Sequence, residues 1–225
     1  MQQGTVIKST GSWYQVKLAD GHTVNCRIKG RFRIEGLKLT NPVAVGDEVK
    51  ITVDDEVENT GTIGEILSRR NYVVRQSPRR KHDVHLLASN IDQAVVIMTI
   101  VQPNLKQGFI DRFLLMTEPY DIPTVIVFNK ADLCGEEELG VYAYLEDVYE
   151  SIGYQVLLVS ALTGIGTGDF REMLRDKVSL IAGQSGVGKS SLVNAIQPQL
   201  DLRVKELSDY SGKGQHTTTF AEMHP

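Results

Sequence analysis

The stretch GQSGVGKS, residues 183–190, constrains this chain more than any other, because it fits G-x-x-x-x-G-K-[ST] between an apolar run, VSLIAG, and a helix-forming one, SSLVNAI. A strand, a glycine turn and a helix in that order predict a phosphate-binding loop. Glycines let the chain turn so tightly that successive N–H groups face one anion, and the helix adds the positive end of its dipole. Gly183, Gln184, Ser185, Gly186, Val187 and Gly188 form the loop backbone, and Lys189 is the group that reaches the β and γ phosphates as binder and catalyst. Ser190 offers its hydroxyl to Mg2+, and Ser191 faces the α phosphate. A glycine-rich turn without a ligand is the bland alternative, and the flanking strand and helix weigh against it.

Two further pieces specify the base. FNKAD, residues 128–132, follows the apolar PTVIV and has the form N-K-x-D. Asp132 can accept both hydrogens of the guanine N1 and exocyclic amine, whereas adenine offers no such pair and would leave a polar group unpaired. Asn129 can bond the base and brace the phosphate loop, the Lys130 stem can lie across the ring face, and Ala131 completes the loop. About thirty residues later VSALTGIG follows YQVLLVS, so Ser160, Ala161 and Leu162 stand where a backbone N–H would meet the guanine oxygen. A GTPase ordinarily runs phosphate loop, switch threonine, D-x-x-G, NKxD, SAx. Here NKxD and SAx come first, so the order is circularly permuted, and one pocket can still assemble from loops at the carboxyl ends of the strands.

From residue 91 onward, apolar runs alternate with helical stretches, the pattern of an α/β domain with a mainly parallel sheet. Strands are expected in DQAVVIMTI, PTVIVFN, YQVLLVS and VSLIAG, and helices in QGFIDRFLLMTEPY, EEELGVYAYLEDVYESIG and GDFREMLRD, with acidic residues toward the helix starts. The first 68 residues read differently. Short alternating segments are separated by STGS, ADGH and a Gly-Asp turn, which predicts five strands closing a small all-β barrel of OB type, with an SH3-like barrel as rival. Residues 69–90 carry SRRNYVVRQSPRRKHDVHLLASN less its first residue, lack a clear period and contain a proline, so they read as a basic linker. Residues 91–225 then form the permuted GTPase domain.

Residues 1–80 hold thirteen Lys and Arg against nine Asp and Glu, while the remainder is strongly acidic. The positive residues gather in RIKGRFR (27–33) and in the linker, where arginine could meet phosphate and Phe32 or Tyr72 could stack on bases; a solvated strand edge is the alternative. The longest apolar run, AVVIMTIV, is too short to span a bilayer, so no membrane role is expected. Cys26 and Cys134 make neither a disulfide framework nor a zinc cluster, and both are expected as small buried residues of a cytoplasmic protein.

The permuted order, the barrel in front and the later GKGQHTTT at 212–219 together resemble the ribosome small-subunit-dependent GTPase A family of bacteria, through essentially the whole chain. The resemblance implies GTP hydrolysis stimulated by the 30S ribosomal subunit, a role in late small-subunit maturation and docking of the barrel on 16S rRNA. GKGQHTTT suits a switch loop whose threonine hydroxyl completes the Mg2+ shell; Thr218 is favoured, with Thr217 next. His216 could orient or deprotonate the attacking water, although a loop histidine is more often simply solvated. Members of that family continue into a D-x-P-G loop and a Cys/His domain that binds one Zn2+, and neither lies within these 225 residues. The chain is therefore expected to be a fragment or to lack disordered residues, since a sheet without the strand before D-x-P-G would have an open gap; if 225 is the true end, nucleotide binding is expected to survive better than hydrolysis. Nothing suggests more than a monomer. A nucleotide-gated RNA-binding module with little hydrolysis is the competing reading; an ATPase or small-molecule kinase is opposed by Asp132.

Overall fold

A computed structural model describes residues 1–28, 41–55, 57–76, 84–202 and 221–224. Phe32, His216, Thr217 and Thr218 lie outside the described residues. The chain divides into two compact units, residues 1–91 with 218–225, and residues 92–217.

In the first unit, β1 (Gln2–Ser9), β2 (Tyr14–Leu18), β3 (Thr23–Ile28), β4 (Glu48–Asp55) and β5 (Thr60–Ile66) close a barrel in the order β1-β2-β3-β5-β4. β3 runs parallel to β5, while the other neighbours are antiparallel. That crossing is the Greek-key closure of an OB barrel and decides against the SH3-like rival. The alternation in the sequence sets which side chains fill it: Val6, Tyr14, Val16, Val24, Cys26, Val49, Ile51 and Ile63 all point inward. Burial pushes the Cys26 thiol up to about 12, so it behaves as an inert apolar group. Cys134, expected to be buried, is only partly so.

The stretch expected to be a basic linker holds two paired strands, β6 (Tyr72–Gln76) and β7 (Val84–Ser89). A register shift between Val73 and Val74 breaks the period of two, which hides this hairpin from a periodicity reading. One buried charge fixes the barrel to the segment ahead of this hairpin and to the last residue of β7. Asp47 is fully buried; Arg69 donates through Nε to its Oδ1 and through a terminal nitrogen to its Oδ2, both at 2.6 Å. The Ser89 hydroxyl and the Ala44 N–H donate to the same carboxylate at 2.6 and 2.9 Å, and Arg69 also reaches the Pro42 carbonyl at 2.7 Å. Arg69 belongs to the basic run that the sequence offers for RNA, yet its side chain is 8% exposed and committed to this carboxylate. Beyond the barrel strands, Glu222 bridges Lys8, with the Met223 N–H on the Ile7 carbonyl at 2.7 Å.

The second unit carries a four-stranded sheet of β8 (Gln93–Met98), β9 (Thr124–Phe128), β10 (Gln155–Leu158) and β11 (Ser179–Gly183), in the order β10-β9-β8-β11, parallel throughout. β8 and β9 are buried along their whole length, as their uninterrupted apolar runs require. Helices α1 (Gln107–Thr117), α2 (Glu136–Ser151), α3 (Thr167–Leu174) and α4 (Lys189–Ile196) connect or follow the strands. Glu136, Glu137 and Glu138 sit in the first turn of α2, where the helix dipole favours them; α1, against expectation, has no acidic residue in its first turn. α1 ends at Thr117 rather than running through Tyr120 and passes into a 3-10 turn, Glu118–Tyr120, because Pro119 has no N–H to continue the α-helical ladder. Val95, Ile97, Val125, Val127, Phe170 and Leu192 make the core between sheet and helices.

Because Asp47 and Arg69 are both withdrawn from water, deleting one strands the other. Asp47→Ala is expected to lower the stability of the chain by about 3–5 kcal/mol, read as an earlier midpoint in urea denaturation; a midpoint unchanged from the parent would contradict it.

Candidate functional site

Successive strands step from β8 through β9 to β10 on one side, and the chain then crosses back to place β11 on the other side of β8. Such a reversal opens a crevice at the carboxyl ends of the strands, where open parallel sheets bind ligands. The loops leaving β11, β9 and β10 are the three that the sequence singles out.

The loop after β11 turns through Gly186 and Gly188, with φ of +86° and +85°. A Cβ on Gly188 would stand 2.5 Å from the Asn129 side-chain nitrogen, so the close approach as well as the dihedral requires glycine. Gly188 then caps α4, which begins at Lys189. Lys189 folds back so that its ammonium donates to the Gly183 and Gln184 carbonyls at 3.0 and 2.7 Å. Burial lowers its pKa, so a polyphosphate brought to this loop would give the ammonium a stronger partner than two neutral carbonyls. Ser190 and Ser191, both half-buried, occupy the first turn of α4 beside it. A hydroxyl at that position is a hard oxygen donor, the chemistry that Mg2+ selects.

Asn129, 3% exposed, joins the loops. Its Nδ2 donates to the Val187 carbonyl of the phosphate loop at 2.9 Å, and its Oδ1 accepts the Ala161 N–H of the third loop at 3.1 Å. The brace to the phosphate loop is the one expected from NKAD. The tie to Ala161 is not legible in the sequence, since it depends on β9 and β10 lying side by side. The same adjacency brings the fully buried Ser160 against Asp132: the Ser160 hydroxyl donates to Asp132 Oδ1 and accepts the Thr163 N–H at 3.1 Å. Asp132 itself is exposed, so its carboxylate is oriented by Ser160 while still open to a base edge. Leu162 is 82% exposed and makes no wall of the loop core.

Lys130 adopts a left-handed backbone, φ 69°, and its ammonium donates to the Gln102 carbonyl at 2.6 Å. Burial lowers its pKa, against an opposing pull from the Asp132 charge. Its Cε lies near Gly188, 3.9 Å from where a Cβ on that glycine would stand. Among the described residues no group of three or more His, Cys, Asp or Glu is arranged to hold a metal ion, and no helix is long and apolar enough to cross a membrane.

Residues 66–225 match the RsgA GTPase family and residues 3–63 the RsgA N-terminal domain. A relative from Christiangramia forsetii, "Small ribosomal subunit biogenesis GTPase RsgA", is 50% identical over 98% of this chain and 70% of its own length. One of the same name from Bacteroides fragilis is 48% identical over 99% and 71%. Among solved structures, YjeQ from Thermotoga maritima superposes with a TM-score of 0.68 at 34% identity, covering 95% of this chain and 72% of that one. YloQ, described as a circularly permuted GTPase, gives 0.61 at 34% identity, covering 95% and 69%.

Removing the Asn129 amide leaves a buried carbonyl and a half-buried N–H without their partner. Asn129→Ala is expected to weaken GDP binding by roughly 10–100-fold in a calorimetric titration, and an unchanged dissociation constant would contradict the joint.

Proposed function

The chain belongs to the RsgA GTPase family, and from that membership we propose that it hydrolyses GTP under stimulation by the 30S ribosomal subunit during late small-subunit maturation. The observation that carries the reading is the Asn129 joint, which holds a phosphate loop and two base-reading loops in one crevice although the chain delivers them in permuted order. Asp132, oriented by Ser160, pairs with the guanine edge; the Lys130 stem covers the ring; the Ala161 N–H is shared with the guanine oxygen. Lys189 leaves its two carbonyls for the β and γ phosphates, Ser191 faces the α phosphate, and Gly183 through Gly188 wrap the chain. Ser190 and Thr218 would hold Mg2+, which when bound neutralises the charge that develops on the phosphates. Thr218 would sense the γ phosphate and His216 would orient water.

For the barrel, residues 1–68, we propose contact with 16S rRNA. Arg27 lies over the Trp13 ring, its guanidinium carbon 3.9 Å from the centroid, which supports this reading by joining a cation and a flat apolar face on one surface. Arg69, locked onto Asp47, takes no part. The chain acts as a monomer in the cytoplasm.

Turnover of GTP with and without purified 30S subunits tests the enzyme. The expected result is a rise on the order of 100-fold or more, specific to GTP over ATP, and Asp132→Asn should move the preference toward xanthosine triphosphate. Tight nucleotide binding without acceleration would favour an RNA-binding module gated by nucleotide.

A further inference from the structure

Four loops leave the carboxyl ends of the parallel sheet, and three have roles above. The fourth, between β8 and α1, has none, although β8 lies between β9 and β11 and its loop therefore leaves the sheet between the base-reading and phosphate-binding loops. This loop is built around Thr99, which is 1% exposed. The Thr99 hydroxyl donates to the Pro103 carbonyl at 2.6 Å, and the Leu105 N–H donates to the Ile100 carbonyl at 3.0 Å, so residues 99–105 form a closed turn. The Gln102 carbonyl projects from that turn to the Lys130 ammonium. The far end of the Lys130 stem is thus fixed, with Cε beside Gly188 of the phosphate loop and the ammonium on the Gln102 carbonyl.

A lysine stem that is to lie flat on a purine ring loses rotamer freedom, and that loss weakens binding unless the stem is held before the ligand arrives. We propose that Thr99 is a positioning residue for nucleotide binding: by closing the turn at Pro103 it holds the Gln102 carbonyl, which preorders the Lys130 stem for the base. The inference rests on the guanine-nucleotide reading of the pocket. Thr99 touches no ligand; it acts through Gln102 on Lys130. Its effect is on affinity for the nucleoside, not on the choice of guanine over another purine, because that choice belongs to Asp132.

The test is a double-mutant cycle on the full chain, with GDP as the probe in calorimetry. Thr99→Val keeps the shape and removes the donor, and is expected to weaken GDP about 5-fold; Thr99→Ser retains the hydroxyl and should stay within about 2-fold of the parent. In a Lys130→Met background, where the stem remains but the ammonium is gone, Thr99→Val should cost almost nothing more. An equal loss in both backgrounds, which a purely structural threonine would give, overturns the proposal, as does no loss from Thr99→Val in the parent. If Thr99→Val does not fold, Thr99→Ala is read in the same cycle by the same criteria. GDP binding by the unaltered chain separates the two levels of failure: if it is absent, the pocket reading falls and the proposal with it; if it is present, only the proposal is at stake.

Discussion

The side-chain amide of Asn129 is the interaction on which the site depends. It is buried, its donor and acceptor are both used, and its partners are backbone groups on two other loops. Backbone partners matter here, since Val187 and Ala161 can be replaced without removing the carbonyl or the N–H. What the geometry does demand is that the strand carrying Asn129 lie near both others. In the order β10-β9-β8-β11, β9 is paired with β10 and separated from β11 by one strand. The long reach is closed by the tight turn at Gly188, whose missing Cβ makes room for the Asn129 nitrogen.

This explains why permutation does not spoil the pocket. The contacts that assemble it are set by neighbours in the sheet, not by order along the chain, and the buried apolar strands set those neighbours. Parallel strands cannot be joined by hairpins, so each return passes through a helix and leaves its loops at the ends of the sheet. Opening the chain at a different connection leaves the carboxyl-end loops convergent.

Much of this was legible in the sequence because apolar runs and helical spacing report burial directly. The strand and helix bodies of the second unit fall where those patterns lie, and the glycine-lysine-serine spacing marks the phosphate loop without any structure. Three things were not legible. The bulge at Val73 and Val74 cancels the period of β6, so a hairpin reads as a linker. Arg69 looks like its neighbours in a basic run, and only the fold shows that it is paired with a buried aspartate. Contacts between loops, such as Ser160 with Asp132, join residues far apart in the chain and leave no local signal.

The central claim is that three loops joined through Asn129 form one pocket for a guanine nucleotide. Calorimetric titration of the full chain with GDP and with ADP tests it most directly. The account predicts that GDP binds at least about 100-fold more tightly than ADP, because adenine leaves Asp132 without its pair of donors. Comparable affinities for the two would contradict it.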